Sequence, residues 1–445
     1  MLPDLPRWIR ELPDTRQARK CEYPAELIHW AGLALLLGGS GSRDQYDLDR
    51  TRPAMMANVA ALAGLEVGTL PDGDTVNYLF EQIPAAEGLG QLPGQMVHRL
   101  LRNRVLDDQR LWNEMFLIAV DATEQFSSSE RHCEHCLVQK LADGTTRYFH
   151  AVLQAMLVTR GGMVLPVMSV PIRNESAVYD KQNCELKTFP VLAAALHRRF
   201  PQQRLCLLMD ALYFSQDVMT LCRDNCWDWI ITFKEGKVPA LWKRAQDTLS
   251  DKNVLEHSPA KRVYQQFRWC HNLVHGDEKH RLHAIFCRET RTDTSGGTTV
   301  TRFAWGTSLR PDRANVIELA NHGGRPRWKI ENEGFNTLKN DICGLDHGYG
   351  TRKEALMNWH HLIEVAFLLL QLVEHSDILT KLPPPPEAAR IRRSTKPLRP
   401  VLRLYSTLRN FRANLRMAFL YLRLDLSRLA TFPAFQFRLC PADSG

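Results

Sequence analysis

Two short apolar runs, each followed by an aspartate, constrain the fold of this chain more than any other feature. Residues 115–120 precede Asp121, and residues 205–209 precede Asp210. Uninterrupted apolar runs of this length are typical of buried strands in parallel sheets. A carboxylate at the carboxyl end of such a strand points into the crevice where open α/β sheets bind ligands. Each aspartate alone fits a simple turn residue, but the repeated pattern predicts a site at one edge of an α/β sheet.

A third acid lies in the segment 325–341, which reads RPRWKIENEGFNTLKND. On a helix of about 3.6 residues per turn, Glu331 shares a face with apolar positions, Arg327 lies one turn before it, and Glu333 faces solvent. An ionised glutamate on a buried face needs a partner. Taken alone, the simplest partner is a structural ion pair with Arg327 or Lys329.

The three acids together favour a metal site. Asp121 and Asp210 are 89 residues apart, and Asp210 and Glu331 are 121 residues apart. Convergent carboxylates without compensating cations are the ligands that hard divalent ions such as Mg²⁺ and Mn²⁺ take. We therefore predict that these three residues bind two Mg²⁺ or Mn²⁺ ions, with Arg327 beside them to hold a phosphate or to orient Glu331.

The same residues carry a resemblance to a known family. The order strand Asp, strand Asp, helical Glu, with RWKIENEGFNTLKN at 327–340, resembles the DDE transposases of bacterial insertion sequences. The broader group's signature, Tyr-(2)-Arg-(3)-Glu-(6)-Lys, is matched by Arg327 and Glu331. Gly324 stands where the signature has Tyr, and seven residues rather than six precede Lys339. The resemblance covers residues 115–375 and includes the segments CEHC, KQNCE and FAWGTSL.

This resemblance implies a fold with an RNase H-like core. We expect an α/β protein whose mixed-sheet catalytic core follows an N-terminal helical domain, contains a β-rich insertion before the last catalytic helix, and precedes a helical basic C-terminal region. The expected domains are 1–112 (helical, for DNA end binding or dimerisation), 113–233 (first part of the core), 234–321 (insertion), 322–380 (the Glu-bearing helix and the next helix) and 381–445 (proline linker and basic tail).

Local patterns predict the individual elements of these domains. Helix signals predict four N-terminal helices, at 24–39, 53–65, 75–82 and 95–115. In the core we predict a strand that ends at Asp121, a strand that ends before Asp210, and further elements, namely strands at 148–158, 163–170 and 227–233 and helices at 189–200, 216–225 and 354–375. Alternating apolar and polar residues predict antiparallel strands in the insertion, at 262–270, 280–289 and 298–307.

The resemblance also implies an activity. It is that of a DNA transposase, which binds element ends and catalyses two-metal-ion strand cleavage and strand transfer; the expected catalytic residues are Asp121, Asp210, Glu331, Arg327 and Lys339. The expected partner is double-stranded DNA, at the element ends and the target, bound by a homodimer at the bacterial nucleoid. Two alternatives stay open: a two-metal DNA nuclease without joining activity, and a domesticated, transposase-derived DNA-binding protein.

A second group of residues is typical of a structural zinc site. Cys133 and Cys136 form a C-x-x-C, and His150 and Cys184 follow before Asp210. C-x-x-C spacing suits tetrahedral Zn²⁺, and the four residues would form a Cys₃His set. A single C-x-x-C is also found in β-turns with two half-buried thiols, and this alternative stays open.

Aromatic and basic residues supply the remaining DNA-binding predictions. Trp269 and Trp305 in the insertion could stack an extruded base, although aromatic residues on strands are more often core. Residues 387–445 hold 12 Lys and Arg against 3 Asp and Glu, so this tail carries +9 and the rest of the chain −1, for a formal net charge of +8. Its arginines share one helical face, which we predict to bind DNA phosphates, namely Arg409, Arg412, Arg416 and Arg423. An ordinary solvated basic face is the alternative.

The composition argues against a membrane or exported protein. The longest apolar run, 362–373, contains Glu364 and Gln371 and is too short and too polar to span a bilayer. The first residues hold prolines and acids where a signal peptide would need an apolar stretch. Eleven cysteines fit a reducing compartment. We therefore expect a cytoplasmic protein without a membrane partner.

Overall fold

The computed structural model describes residues 2–130, 132–133, 135–173, 181–276, 280–342, 344–345, 347–376 and 408–423. The side chains of residues 181–184, 341–342 and 408–411 lie outside this description. The predicted proline linker and most of the basic tail also lie outside the described residues.

The described N-terminal part contains six α-helices: α1 (Leu5–Arg10), α2 (Ala25–Gly38), α3 (Arg43–Asp49), α4 (Pro53–Ala63), α5 (Gly73–Gln82) and α6 (Leu92–Arg102). Helix α2 ends at Gly39, which has the left-handed φ of 67° that favours glycine. The predicted helix at 95–115 is wrong beyond Arg102. It cannot continue to residue 115, because Arg104, Trp112 and Asn113 have positive φ angles, which an α-helix excludes.

Within the described residues, ten strands form one mixed sheet: β1 (Phe116–Ser128), β2 (Leu137–Lys140), β3 (Thr146–Val158), β4 (Val164–Ile172), β5 (Leu205–Met209), β6 (Asp228–Thr232), β7 (Val254–Ala260), β8 (Val263–Val274), β9 (Arg281–Thr292) and β10 (Thr298–Thr307). The core of the sheet has the order β4-β3-β1-β5-β6. Strands β1, β5 and β6 are parallel, whereas β3 is antiparallel to both β1 and β4. The fold is therefore α/β with a mixed sheet.

The predicted β-rich insertion extends this sheet. Strands β7 to β10 are antiparallel neighbours, and the end of β10 pairs with β6, where Trp305 lies opposite Thr232. The insertion also contains α9 (Pro239–Thr248), which the sequence patterns do not predict. Because β10 is hydrogen-bonded to β6, the insertion is a continuation of the core sheet.

The remaining helices are α7 (Lys181–Arg199), α8 (Gln216–Asp224), α10 (Ala355–Glu374) and α11 (Leu408–Tyr421). Helix α10 connects the N-terminal helices to the sheet, because it packs against α2 and α5 and also against β4. Gly32 of α2 permits this close packing, since a Cβ there would lie 2.8 Å from the Leu362 side chain. Among the described helices, α10 alone is long and apolar enough to span a membrane. It is 78% buried over its most apolar stretch, as in the core of a soluble protein.

Residues 316–342 form one unbroken but irregular helical segment, called here the Glu331 helix. It begins as an α-helix and tightens at Arg325–Trp328; wide turns with hydrogen bonds from i to i+5 make up Leu319–Gly324, Ile330–Phe335 and Thr337–Ile342. Such wide turns are rare and occur often at functional sites. Gly334 lets the segment lie close to the sheet, because a Cβ there would be 3.0 Å from Met156 Sδ on β3.

Candidate active site

Asp121 and Asp210 lie side by side on neighbouring parallel strands. Strands β1 and β5 pair with Ala119 opposite Leu208. The same register, continued for two residues, places Asp121 beside Asp210 on strands about 4.8 Å apart. Asp210 follows β5 directly, as predicted. The prediction that Asp121 ends its strand is wrong, because β1 continues to Ser128 beside β3 and only loses its apolar run there.

Each aspartate is oriented by a backbone N–H close to it in sequence. The Ala122 N–H donates to Asp121 Oδ1 at 2.9 Å, and the Leu212 N–H donates to Asp210 Oδ1 at 2.8 Å. Asp210 thereby caps the short 3₁₀ turn Ala211–Tyr213. One oxygen of each carboxylate is fixed in direction by these bonds.

Arg327 connects Asp121 to Glu331. Its Nη1 donates to Asp121 Oδ2 at 3.2 Å and to Glu331 Oε1 at 2.8 Å. The residue is 9% exposed, and its buried Nε has no hydrogen-bond partner within the described part of the chain. One guanidinium nitrogen thus serves two carboxylates, while part of the same group stays unsatisfied.

Glu331 is less buried than the sequence predicts. From residue 325 to residue 340, the buried positions of the Glu331 helix are Arg327, Ile330, Gly334, Phe335 and Leu338. Glu331 lies at the edge of this stripe, and 49% of its side chain is exposed. The predicted ion pair with Arg327 is present, but it sits at the rim of the site. Glu333 is exposed, as predicted.

The electrostatics of Asp121 distinguish it from an ordinary surface acid. Burial raises the pKa of the Asp121 carboxyl to about 7. The charge of Arg327 opposes this rise, whereas the like charges of Glu331 and Asp210 add to it. Asp121 is therefore a carboxylate whose negative charge is only partly compensated by the protein.

These residues fit hard divalent ions in chemistry. Their ligand atoms are carboxylate oxygens, which Mg²⁺ and Mn²⁺ prefer, and the ionised form of Asp121 lacks a full counter-charge. The oxygens of Asp121, Asp210 and Glu331 do not all lie within 4.8 Å of one another; in the described residues, a Cys and His cluster alone meets that criterion. Carboxylates around two ions about 3.5–4 Å apart do not need to converge on one point.

Lys339, the last predicted catalytic residue, is half-buried on the Glu331 helix. It lies eight residues beyond Glu331, which corresponds to roughly 12 Å along the axis at the rise of an α-helix. By this spacing along the helix, Lys339 does not lie next to Glu331.

Two residues near the aspartates were missed by the sequence patterns. Tyr213 is fully buried, and within the described residues its hydroxyl has no hydrogen-bond partner. Burial raises the pKa of Tyr213 well above its usual value, and the charges of Glu185, Asp121 and Asp210 raise it further. Glu185, on α7, is 5% exposed and thus adds a buried acid to this region. The KQNCE segment, which ends at Glu185, was the available signal.

The residue predicted to stack a DNA base, Trp305, lies in the core of the described structure. Trp305 is 5% exposed and stacks on Phe303 with a centroid distance of 5.8 Å. A Cβ at Gly324 would lie 2.5 Å from Trp305 Nε1. The indole therefore occupies the space that a side chain at position 324 would need. Trp269 is 2% exposed and is also core.

The predicted phosphate-binding arginines of the tail have varied surroundings. Arg416 pairs with the buried Asp49 at 2.9 Å, and Arg412 donates to the Leu36 carbonyl at the end of α2 at 3.3 Å. Both contacts dock α11 onto the N-terminal helices, so phosphate binding by Arg416 would require loss of an internal ion pair. Arg423 is exposed, whereas the side chain of Arg409 lies outside the described residues.

Three of the four predicted zinc ligands come together. Cys133 and Cys136 lie in the connection between β1 and β2, and His150 lies on β3. The sulfurs are 3.7 Å apart, and His150 Nε2 is 3.4 Å from Cys133 Sγ and 3.3 Å from Cys136 Sγ. The side chain of Cys184 lies outside the described residues. This cluster borders a cleft of about 620 Å³ that also includes Arg173.

Comparison with known proteins adds no family assignment. No family model matches the sequence, and no curated protein matches it either.

Proposed function

We propose that this protein is a DDE-type DNA transposase of an insertion sequence. It would cut DNA at the ends of its element and join the freed 3′ ends to target DNA by two-metal-ion phosphoryl transfer. The observation that carries the proposal is that Asp121 and Asp210 each lie two residues beyond the last paired positions of β1 and β5, and that Arg327 links Asp121 to Glu331. This arrangement puts three acids at one end of parallel strands, where open α/β sheets bind ligands.

The order of the strands supports an RNase H-like core. Strands β4, β3 and β1 are antiparallel neighbours, and β5 and β6 add to β1 in parallel. The first acid lies on β1 and the second directly after β5, on adjacent strands. The third acid is on the helical segment that follows the insertion, in the order that the resemblance implies.

The residues of the chain have separable roles in this reaction. Asp121 and Asp210 would hold the ions, because each carboxylate is oriented by its own backbone N–H. Glu331, at the exposed rim, would complete one ion's ligands. Two Mg²⁺ or Mn²⁺ ions, when bound, supply an activated hydroxyl nucleophile and stabilise the leaving 3′-oxygen.

Arg327 is suited to hold a phosphate. Its guanidinium is always charged and binds phosphate oxygens in a planar fork. In the present contacts it neutralises Asp121 and Glu331, and its Nε remains unpaired in the described structure. If Arg327 Nη1 were released from Asp121 and Glu331, the guanidinium would be available to bind a DNA phosphate.

The partner of this site is double-stranded DNA, at the element ends and at the target. On the basis of the resemblance, we also propose that the protein binds DNA as a homodimer and acts at the nucleoid in the bacterial cytoplasm. Among the described residues of the tail, the exposed Arg423 is the proposed contact to phosphates.

The decisive experiment uses the full chain and linear DNA that carries its own gene with native flanking sequence. Cleavage is mapped with Mg²⁺, with Mn²⁺ and without divalent ion, and supplied 3′-OH ends are offered together with a supercoiled plasmid. We expect metal-dependent breaks at the element ends and insertion into the plasmid. Breaks without insertion would indicate the nuclease alternative, and DNA binding without breaks would indicate a domesticated DNA-binding protein.

A further inference from the structure

The cluster of Cys133, Cys136 and His150 has the dimensions of a metal site. Zinc binds thiolate sulfur at about 2.3 Å and imidazole nitrogen at about 2.0–2.1 Å in a tetrahedron. Two sulfurs on such a tetrahedron are then about 3.8 Å apart, and a sulfur and a nitrogen about 3.5 Å apart. The observed separations are 3.7, 3.4 and 3.3 Å. All three distances therefore agree with tetrahedron edges to within about 0.3 Å.

The backbone around the cysteines is also arranged for thiolates. The Cys136 N–H donates to the Cys133 carbonyl at 3.1 Å, which closes a turn, and the Cys133 N–H donates to Cys136 Sγ at 3.3 Å. An N–H aimed at sulfur stabilises its negative charge. A disulfide is a poor alternative description, since both cysteines are free and the sulfurs lie well beyond the S–S bond length of about 2.05 Å.

We propose that Cys133, Cys136 and His150 bind one Zn²⁺ ion. The set contains two soft sulfur ligands and one imidazole, which distinguishes it from the oxygen-only candidate active site and favours zinc over magnesium. Because Nε2 of His150 faces the sulfurs, its Nδ1 carries the proton in the bound state.

The ion would fasten the connection after β1 to the sheet. His150 on β3 lies opposite Phe126 on β1, and Phe126 is five residues beyond Asp121 on β1. His132, at the start of the zinc-binding turn, stacks on Tyr148 of β3 with a centroid distance of 4.4 Å. The turn is thus held against β3 by a ring stack and, in this proposal, by a metal. Zinc would stabilise the outer half of the strand that carries Asp121.

The first test measures metal content in the full chain, purified without chelators. We expect about one zinc per chain in the wild type. Cys133→Ser, Cys136→Ser and His150→Ala should each reduce bound zinc at least about tenfold. Cys21→Ser is the matched control, because its thiol donates to the nearby Gln17 carbonyl at 3.3 Å and is not part of the cluster, so this variant should keep its zinc. A zinc-free wild type, or undiminished zinc in all three variants, would overturn the proposal.

The second test uses the wild type alone, so that a variant that does not fold cannot obscure the result. Cys133 and Cys226 are both exposed free thiols. Alkylation followed by mass spectrometry should find Cys133 protected at least about tenfold until a zinc chelator is added, because a metal-bound thiolate is a poor nucleophile. Cys226 should react at the same rate before and after chelation. Rapid alkylation of Cys133 in untreated protein would contradict metal binding.

Discussion

Two neighbouring carboxylates, Asp121 on β1 and Glu364 on α10, have opposite electrostatic surroundings. Burial raises the pKa of Asp121 to about 7. Burial also opposes ionisation of Glu364, but the charge of His360 and the hydrogen bond from His361 outweigh it and hold the pKa of Glu364 well below its usual range. The two sites are adjacent, since Gln154 lies opposite Asp121 on β3 and donates to Glu364.

The difference comes from the number of partners. Glu364 is fully buried and accepts hydrogen bonds from Gln154, from Ser169 Oγ at 2.6 Å and from His361 Nδ1 at 2.8 Å. Asp121 has one backbone N–H and shares one guanidinium nitrogen with another acid. A carboxylate saturated by the protein is typical of a structural residue, whereas an undercompensated carboxylate in a group of acids is a candidate for binding a cation.

The largest expected effect is on catalysis. Asp121→Asn, Asp210→Asn or Glu331→Gln should each reduce Mg²⁺-dependent DNA cleavage at least about a thousandfold, because each removes a charged metal ligand. The fold should persist, since removal of one of several like charges relieves repulsion. Strand cleavage and thermal melting of the variants measure both effects. The exposed Glu333→Gln is the control and should stay active.

An active Glu331→Gln enzyme would contradict the assignment of the third acid. A large loss of stability in the same variant would show that the ion pair with Arg327 is structural. We expect only a small loss, because Glu331 is half-exposed and Arg327 keeps its contact with Asp121.

The second prediction tests the structural member of the comparison. Glu364→Gln should reduce the free energy of unfolding by about 3–5 kcal/mol, because it disrupts a buried charge network and places an amide donor against the donors Gln154 and Ser169. Asp121→Asn should cost less than about 1 kcal/mol. Denaturant unfolding of both variants without added Mg²⁺ gives the comparison directly. Equal losses would mean that Asp121 is as structural as Glu364.

The sequence predicts the elements that depend on local patterns better than those that depend on contacts between distant segments. Strands β5 and β10 were predicted to the residue, because short apolar or alternating runs bounded by turns are local patterns. Asp210 was placed correctly for the same reason. The sequence analysis does not predict the outer half of β1, because its residues are not continuously apolar and the strand is held by pairing with β3. The same pairing brings His150 close to the C-x-x-C.

Other features depend on packing between distant segments. The burial of Trp305 follows from Gly324, and neither residue reveals this contact in the sequence. The edge position of Glu331 depends on how the wide turns of its helix pack on β1 and β3. The hydrogen-bond donors to Glu364 come from two strands that are distant in sequence, Gln154 on β3 and Ser169 on β4. The sequence of α10 shows a glutamate in an apolar helix, but it does not show these partners.

The third prediction concerns pH. In the metal-free protein, Asp121 should ionise near pH 4 when unfolded and near pH 7 when folded. Between these values the folded state keeps a proton that the unfolded state has lost, so stability should fall as pH rises, by about 2–4 kcal/mol in total. Glu364 has the opposite sign, because its lowered pKa contributes stability above pH 4.5 that is lost as pH falls.

The measurement is the free energy of unfolding of wild type and Asp121→Asn at several pH values from 4.5 to 8, without added Mg²⁺. The difference between the two proteins isolates the contribution of Asp121. The wild type should lose stability relative to the variant up to about pH 7 and no further above it. A difference that does not change with pH would show that Asp121 is as well compensated as Glu364.

The smallest expected effect is at Tyr213, whose buried hydroxyl lies near the undercompensated acids and has no hydrogen-bond partner in the described structure. Tyr213→Phe should leave the free energy of unfolding unchanged or raise it by up to about 1 kcal/mol, because it removes an unpaired polar group. The matched control is Tyr46→Phe. Tyr46 is equally buried, but its hydroxyl donates to the Pro71 carbonyl at 3.1 Å, and its loss should cost about 1 kcal/mol. If Tyr213→Phe is destabilised as much as Tyr46→Phe, the Tyr213 hydroxyl has a hydrogen-bond partner. The polar groups around Asp121 would then be better paired than the contrast with Glu364 implies.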